Sequence, residues 1–94
     1  MEHLALVGEI DLANSDEILA SFLTTIDRLP AFERDAMAGL VIDCSAMTFI
    51  GSSGLNMLVA LHKKTGLPLV LTHLAEHCRL PFVITKLDTV FELR

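Results

Sequence analysis

The sequence predicts a single α/β domain over residues 1–94, with about four mostly parallel strands and three helices. Three observations support this fold class. Short apolar runs typical of buried strands alternate with longer segments in which apolar residues recur every three or four positions. Glycine or proline ends most of these segments. A chain of 94 residues also has room for one domain only. Strands that alternate with helices normally form parallel pairs joined by right-handed crossovers.

The first strand is predicted at residues 3–8, a short apolar run that ends in glycine. A polar turn follows it, in which Asn14 with Glu17 three residues later has the form of a helix cap. The first helix then extends to about Leu29, where Pro30 ends it. Its apolar positions have the spacing of one helix face: Ile18, Leu19, Phe22, Leu23, Ile26 and Leu29.

The middle of the chain is predicted to contain a linker, a strand and a loop. Residues 30–39 form the linker, with room for one irregular helical turn. The second strand is predicted at residues 40–43, where the apolar residues 40–42 are continuous rather than alternating, as is typical of an interior parallel strand. Residues 45–51 are predicted as a loop, after which the second helix begins with Ser52 or Ser53 as its cap.

The last third of the chain is predicted to contain two strands around a helix. Gly66 and Pro68 end the second helix, and the third strand occupies residues 67–71. The third helix is indicated by one apolar face: Leu80, Val83, Ile84 and Leu87. Because Pro81 lies within this set, the helix either begins about one residue before it or is kinked there. Residues 90–93 are predicted as a short fourth strand.

Composition excludes several functional classes. A net charge of −5 gives no basic surface for phosphate backbones, so nucleic acid is not an expected partner. The two cysteines, Cys44 and Cys78, are too few for a disulfide framework and lack zinc-ligand spacing, and we interpret them as buried thiols of a reducing compartment. His73 and His77 lie four residues apart without a third ligand, so neither a metal nor a cofactor is expected.

Membrane insertion is not expected either. The N-terminus has no basic region typical of a signal peptide. Residues 44–61 are uncharged over the length of a membrane span, but serine, glycine and asparagine break the apolar run. We therefore expect a cytoplasmic protein.

The most informative segment is residues 43–55, in which an apolar strand leads to Ser52 and Ser53 between Gly51 and Gly54. The start of a helix favours negative groups, and the glycines leave room for another molecule to approach the hydroxyls. A phosphate on Ser52 would therefore fit without unfolding the helix. The simpler alternative is that Ser52 only caps the helix.

Asp11 is the second candidate site residue. In a parallel sheet, the loops at the carboxyl ends of the strands gather at one edge. Asp11 follows the first strand, so it shares this edge with Ser52 if the two strands are neighbours. An equally good interpretation is that Asp11 only opens the turn before the first helix.

Enzyme chemistry is not indicated. The G-x-S-x-G motif centred on Ser53 fails because Leu55 stands at its last position. A Ser/His/Asp set can be assembled from Ser52, His62 and Asp11, but four histidines in so short a chain make such a combination easy to find by chance. The phosphate-binding loop and the dinucleotide fingerprint are both absent from the sequence.

Three motifs together resemble the STAS domain family and, within it, the bacterial anti-sigma factor antagonists, also called anti-anti-sigma factors. The first is residues 8–11 followed by a helix. The second is residues 40–43 leading to Phe-Ile-Gly-Ser-Ser-Gly-Leu at 49–55, and the third is residues 87–93. Each motif is weak alone, but their order and spacing are specific, and the resemblance covers nearly the whole chain.

The resemblance implies a non-enzymatic regulator that works by partner switching. Members of the family bind an anti-sigma factor that is also a serine kinase, and they are inactivated when the kinase phosphorylates one serine. That serine corresponds to Ser52, and Asp11 matches a family aspartate beside it at the partner-binding edge. The partner-binding residues implied by the resemblance are Asp11, Gly51, Ser52, Ser53, Gly54 and Leu55.

Departures from the family pattern keep an alternative open. Gly51 stands where the family often has aspartate, and the extra N-terminal strand and the full C-terminal helix are expected to be lacking. The alternative is a non-phosphorylated STAS interaction subunit of another assembly, such as a lipid-transport complex or a signalling scaffold. A small hydrolase that uses Ser52 or Ser53 is a third class. Apolar surface left open by the shorter fold favours a permanent partner or a homodimer.

Overall fold

The structure is a computed structural model that describes residues 2–94. It contains four strands, four α-helices and one 3-10 helix at Leu87–Thr89. The elements in chain order are β1 Glu2–Ile10, α1 Ser15–Asp27, α2 Ala31–Ala36, β2 Leu40–Ile50, α3 Ser52–Thr65, β3 Leu69–Thr72, α4 Glu76–Ile84 and β4 Glu92–Leu93.

The four strands form one sheet in the order β1-β2-β3-β4, and every neighbouring pair is parallel. This confirms the predicted α/β fold. Because each crossover moves to the next strand in the same direction, right-handed connections place the long helices on one face of the sheet. In agreement with this, α1 and α3 pack against each other.

Only one face of the sheet is fully buried. Along β2 and β3, buried residues such as Ile42 alternate with half-buried ones, and Val41 and Val70 lie on the less protected side. On β1, Val7 is 68% exposed. Parallel sheets are normally covered on both faces. The segment 40–43, predicted as an interior strand, is interior in strand order, but only one of its faces is fully buried.

The core lies between the inner face of the sheet and the helices. Fully buried aliphatic side chains from the strands meet Leu58 and Leu61 of α3 and Phe82 of α4. The ring of Phe91, just before β4, contacts Phe82 edge-on, with ring centroids 6.3 Å apart. These contacts hold β4, which has only two residues, against the end of the sheet.

The second strand is much longer than the sequence indicated, and the predicted loop at residues 45–51 was wrong. This segment continues β2 to Ile50 and pairs with β1. Between the register pairs Ala5–Asp43 and Val7–Ala46, β1 advances two residues while β2 advances three. A second shift of the same kind follows between Gly8 and Glu9. Both extra residues belong to β2, as in β-bulges.

The bulges explain why the strand was missed. In this part of β2 every third residue is buried, namely Cys44, Met47 and Ile50, and the residues between them are exposed. A strand is recognised by burial at every second position. The bulges remove that signal from the sequence.

The helices follow the predicted pattern except in the linker and at both ends of the last helix. The linker, which was expected to hold one irregular helical turn, contains an additional short helix, α2, and this helix has no buried residue. The last helix begins at Glu76, so of the two alternatives left open at Pro81, the one in which the helix starts about one residue before it is wrong. Pro81 lies inside α4, where it cannot donate a backbone hydrogen bond to the preceding turn. Leu87, which was assigned to this helix, belongs to the 3-10 helix.

Both cysteines are free and 1% exposed, as the sequence indicated. Burial raises the pKa of Cys44 to about 12 and also raises that of Cys78. Because the thiolate is the reactive form, we expect neither thiol to react with iodoacetamide at pH 8 while the protein is folded. In urea both should react promptly, which mass spectrometry of timed samples can follow. Equal alkylation rates with and without urea would contradict this.

Candidate functional site

The carboxyl ends of β1 and β2 lie side by side. Ile10 and Ile50 are register partners in this parallel pair, and the Gly51 backbone N–H donates to the Ile10 carbonyl oxygen at 2.9 Å. Asp11 and Ser52 follow these residues within one or two positions. The two strands are therefore neighbours, which was the condition for placing both candidate residues on one edge of the sheet.

Asp11 organises the turn between β1 and α1. One of its carboxylate oxygens accepts a hydrogen bond from the Ala13 backbone N–H at 3.0 Å. Asn14 occupies the N-cap position of α1, but its side chain makes no capping bond. Instead, its Oδ1 accepts from the Asp11 N–H at 2.9 Å and its Nδ2 donates to the Glu9 carbonyl at 2.7 Å. These bonds fix the position of Asp11, which is half-buried.

Ser52 is the first residue of α3 and is exposed. The N-cap residue is Gly51, so the interpretation of Ser52 or Ser53 as the cap was wrong. The backbone of Gly51, with a φ of −96° and a ψ of −177°, is in the extended region that any residue adopts. The first turn of a helix leaves backbone N–H groups without intrahelical partners, and these favour an anion nearby.

Gly54 is buried and packs against the two strands that form the edge. A Cβ built on it would lie 2.7 Å from Ile50 Cγ1 and 2.9 Å from Ile10 Cγ2. The absence of a side chain therefore allows α3 to approach the sheet closely, rather than baring the hydroxyls for another molecule. Leu55 is also in the core, at 6% exposure.

Two exposed apolar side chains flank the candidate residues, and the sequence did not single them out. Leu12, directly after Asp11, is 81% exposed, and Phe49 is 50% exposed. The Phe49 ring lies 3.3 Å from the position of a Cβ on Gly51. The sequence did contain a signal for both residues, since Leu12 is an apolar residue within a predicted turn and Phe49 is one within a predicted loop. We call this surface the Ser52 edge, and it comprises Asp11, Leu12, Phe49, Gly51, Ser52 and Ser53.

A shallow groove continues the Ser52 edge between α1 and α3. It has a volume of about 250 Å³, and its lining includes Leu12, Asp16, Ser53 and Asn56. Its surface thus combines an apolar side chain, a carboxylate and neutral polar groups.

The structure does not assemble the Ser/His/Asp set. His62 lies ten residues beyond Ser52 on α3, which is about 15 Å along a helix. Its Nδ1 donates to the Leu67 carbonyl at 2.7 Å. The imidazole therefore helps to close the end of α3 and is far from the Ser52 hydroxyl.

Two further histidines, His73 and His77, also have local structural contacts. His73 Nδ1 lies 3.4 Å from an Asp43 carboxylate oxygen, and His77 Nε2 donates to the Thr48 carbonyl at 2.8 Å. Hydrogen bonds from the backbone N–H and hydroxyl of Ser45 lower the pKa of Asp43, and His73 lowers it further. Among the side chains that the structure describes, those of residues 4–94, no three histidine, cysteine or acidic groups come together as a metal site.

No helix in the described part of the chain has the length and apolarity needed to cross a membrane.

Comparisons with known proteins identify similar molecules. The family model described as STAS domain matches residues 3–94. Among solved structures, the crystal structure of an anti-sigma factor antagonist from Mycobacterium paratuberculosis is similar, with 30% sequence identity and a TM-score of 0.73. The match covers 97% of this chain and 74% of that one. A comparison with curated proteins finds no significant match.

Proposed function

The chain belongs to the STAS domain family, and from this premise we propose that it is an anti-sigma factor antagonist that works by partner switching. It binds an anti-sigma factor that is also a serine kinase, through the Ser52 edge. Phosphorylation of Ser52 by that kinase inactivates it. The similarity to a solved anti-sigma factor antagonist supports the general role.

The observation that carries the proposal is the position of Ser52. Its side chain is exposed at the start of α3, on the edge of the sheet that also carries the exposed apolar side chains of Leu12 and Phe49. These apolar groups are suited to burial against a partner, and Ser52 adds no charge to that surface when unmodified. The same residue is therefore accessible to a kinase and central to a docking surface.

A phosphate on Ser52 opposes binding without unfolding the domain. It adds a charge of about −1.5 to −2 to an edge that already carries Asp11 and, in the adjoining groove, Asp16. Burying this charge against a partner costs desolvation energy. The N-terminal end of the α3 dipole favours the phosphate, so the helix is expected to remain folded.

In this proposed role the protein needs no enzymatic activity, no cofactor and no direct contact with nucleic acid. It affects transcription by occupying the anti-sigma factor, which frees the sigma factor. We place this activity in the cytoplasm, where sigma factors and their regulators act.

The phosphorylation step is tested by incubating the protein with the anti-sigma factor kinase of the same bacterium and ATP, followed by mass spectrometry. We expect one phosphate on the unmodified protein and none on Ser52→Ala. The neighbouring variant Ser53→Ala is the matched control and should still be labelled. Phosphate on Ser52→Ala would contradict the assignment. Binding of the kinase without any labelling would instead support the non-phosphorylated interaction subunit.

A further inference from the structure

The groove between α1 and α3 combines an apolar interior with one carboxylate. The more buried residues that line it are apolar, namely half-buried Leu19 and Ala60 and, at 4% exposure, Met57. The carboxylate belongs to exposed Asp16 on α1, and exposed Asn56 on α3 adds a side-chain amide. We call this surface the α1–α3 groove. It offers an apolar contact and a negative charge within one small site.

Asp16 has no ion-pair partner among the side chains that the structure describes, those of residues 4–94. Residues 1–27 contain six of the twelve acidic residues and none of the seven lysines and arginines. Along the two helices, the next lysine or arginine is Arg28 after Asp16 and Lys63 after Ser53. At about 1.5 Å per residue, these cations lie roughly 18 Å and 15 Å further along. A cation that pairs with Asp16 would therefore come from another molecule.

The size and position of the groove indicate what it can hold. Its volume of about 250 Å³ is below the roughly 300–1,000 Å³ typical of sites that enclose a small molecule. Leu12 and Ser53 belong both to the groove and to the Ser52 edge, so a protein docked on that edge would also cover the groove. Ser52 itself does not line it. The groove therefore suits a single side chain of the docked partner, placed beside the phosphorylation site.

We propose that the α1–α3 groove receives an arginine side chain of the anti-sigma factor, an inference that rests on the proposed docking at the Ser52 edge. The apolar stem of the arginine lies along Leu19, Met57 and Ala60. Its guanidinium pairs with the Asp16 carboxylate and donates a hydrogen bond to the side-chain oxygen of Asn56. A planar guanidinium has several donors for two such acceptors, whereas a lysine ammonium is a compact, strongly hydrated charge. Arginines in pockets of this kind often contribute much of the binding energy of an interface.

The first test uses the groove without the anti-sigma factor. N-acetyl-arginine amide is titrated at millimolar concentrations into ¹⁵N-labelled protein, with N-acetyl-citrulline amide as a neutral control of nearly the same shape. We expect the arginine compound, and not the citrulline compound, to shift the amide signals of Asp16, Ser53 and Asn56. These shifts should be lost in Asp16→Asn. They should persist in Glu17→Gln, which removes the same charge from the same helix turn but does not line the groove.

The second test measures the affinity for the anti-sigma factor by isothermal titration calorimetry. Asp16→Asn should weaken binding about tenfold, and Glu17→Gln should leave it within about twofold. Ala60→Leu fills the apolar part of the groove without a change of charge and should also weaken binding, whereas Ala36→Leu on exposed α2 is its matched control. In double-mutant cycles, one arginine of the anti-sigma factor should lose most of its effect when Asp16 is already asparagine. Circular dichroism verifies that each variant is folded.

Four results would overturn the proposal. The first is an arginine compound that shifts the signals no more than the citrulline compound does. The second is unchanged affinity for the anti-sigma factor in Asp16→Asn or in Ala60→Leu. The third is equal weakening by Glu17→Gln, which would assign the effect to general charge. The fourth is a set of cycles in which no arginine of the partner is coupled to Asp16.

Failure of this inference is distinguishable from failure of the proposed function. If the anti-sigma factor does not bind the unmodified protein at all, the proposed function is wrong, and with it the identity of the partner. The titration with N-acetyl-arginine amide still decides whether the groove accepts a guanidinium. If the anti-sigma factor binds and Asp16→Asn binds equally well, the proposed function stands and the arginine site is wrong.

Discussion

Replacement of Ser52 with aspartate is expected to weaken binding to the anti-sigma factor by about 100-fold, which corresponds to ~3 kcal/mol. The added carboxylate lies on the same edge as exposed Leu12 and Phe49, and a partner docked on this edge would have to bury it together with Asp11. A buried charge without a counter-charge is costly, and the neighbouring acid adds repulsion. Isothermal titration calorimetry with the purified anti-sigma factor measures the effect.

Two control variants separate this effect from a general loss of folding or charge. Ser52→Ala should bind within about twofold of the unmodified protein, because it introduces no charge. Thr24→Asp adds the same charge on the exposed side of α1 and should also leave affinity unchanged. If Ser52→Asp binds as tightly as either control, the Ser52 edge is not the docking surface.

Replacement of Gly54 with alanine is expected to destabilise the domain by about 2 kcal/mol, because the new methyl group overpacks the core. Its Cβ would lie 2.7 Å and 2.9 Å from the buried side chains of Ile50 and Ile10 and 3.2 Å from the Ile10 carbonyl oxygen. In an exposed helix the same change normally stabilises by up to ~1 kcal/mol. The sign of the effect therefore reports on the helix–sheet contact. Urea unfolding gives the free energy, and the melting temperature should fall by roughly 10 °C.

Gly51→Ala is the matched control for this variant. Gly51 has an ordinary negative φ, and the nearest atom to its Cβ belongs to the half-exposed ring of Phe49, at 3.3 Å, which has room to move. We expect its stability to change by no more than about 0.5 kcal/mol. Equal stability of the two alanine variants would contradict the close packing of α3 on the sheet.

The end of a helix could be predicted from the sequence where the conformational preference of a single residue determines it. Gly66 adopts the left-handed conformation at the end of α3, with a φ of 68°, and its N–H donates to the His62 carbonyl. Such a glycine is visible in the sequence, and the end of the helix was predicted there. The second half of β2 was missed because its bulges depend on pairing with β1, a long-range contact that local periodicity does not contain.

The same limit applies to the site. The shared edge of Asp11 and Ser52 followed from the connection rules of parallel sheets, and the structure makes their strands neighbours. The buried contact of Gly54 with Ile10 could not be predicted, because a glycine needed for close packing and one needed for access look alike in a sequence. The open face of the sheet was also hidden, since its residues Val41 and Val70 are as apolar as those of the core.

The central claim is that the unmodified domain displaces a sigma factor from its anti-sigma factor and that phosphorylation of Ser52 prevents this. Its most direct test is a competition measurement with fluorescently labelled sigma factor bound to the anti-sigma factor. We predict that the unmodified protein releases the sigma factor in proportion to its concentration, and that protein phosphorylated on Ser52 releases none over the same range. Equal release by both forms, or no release by the unmodified protein, would contradict the account.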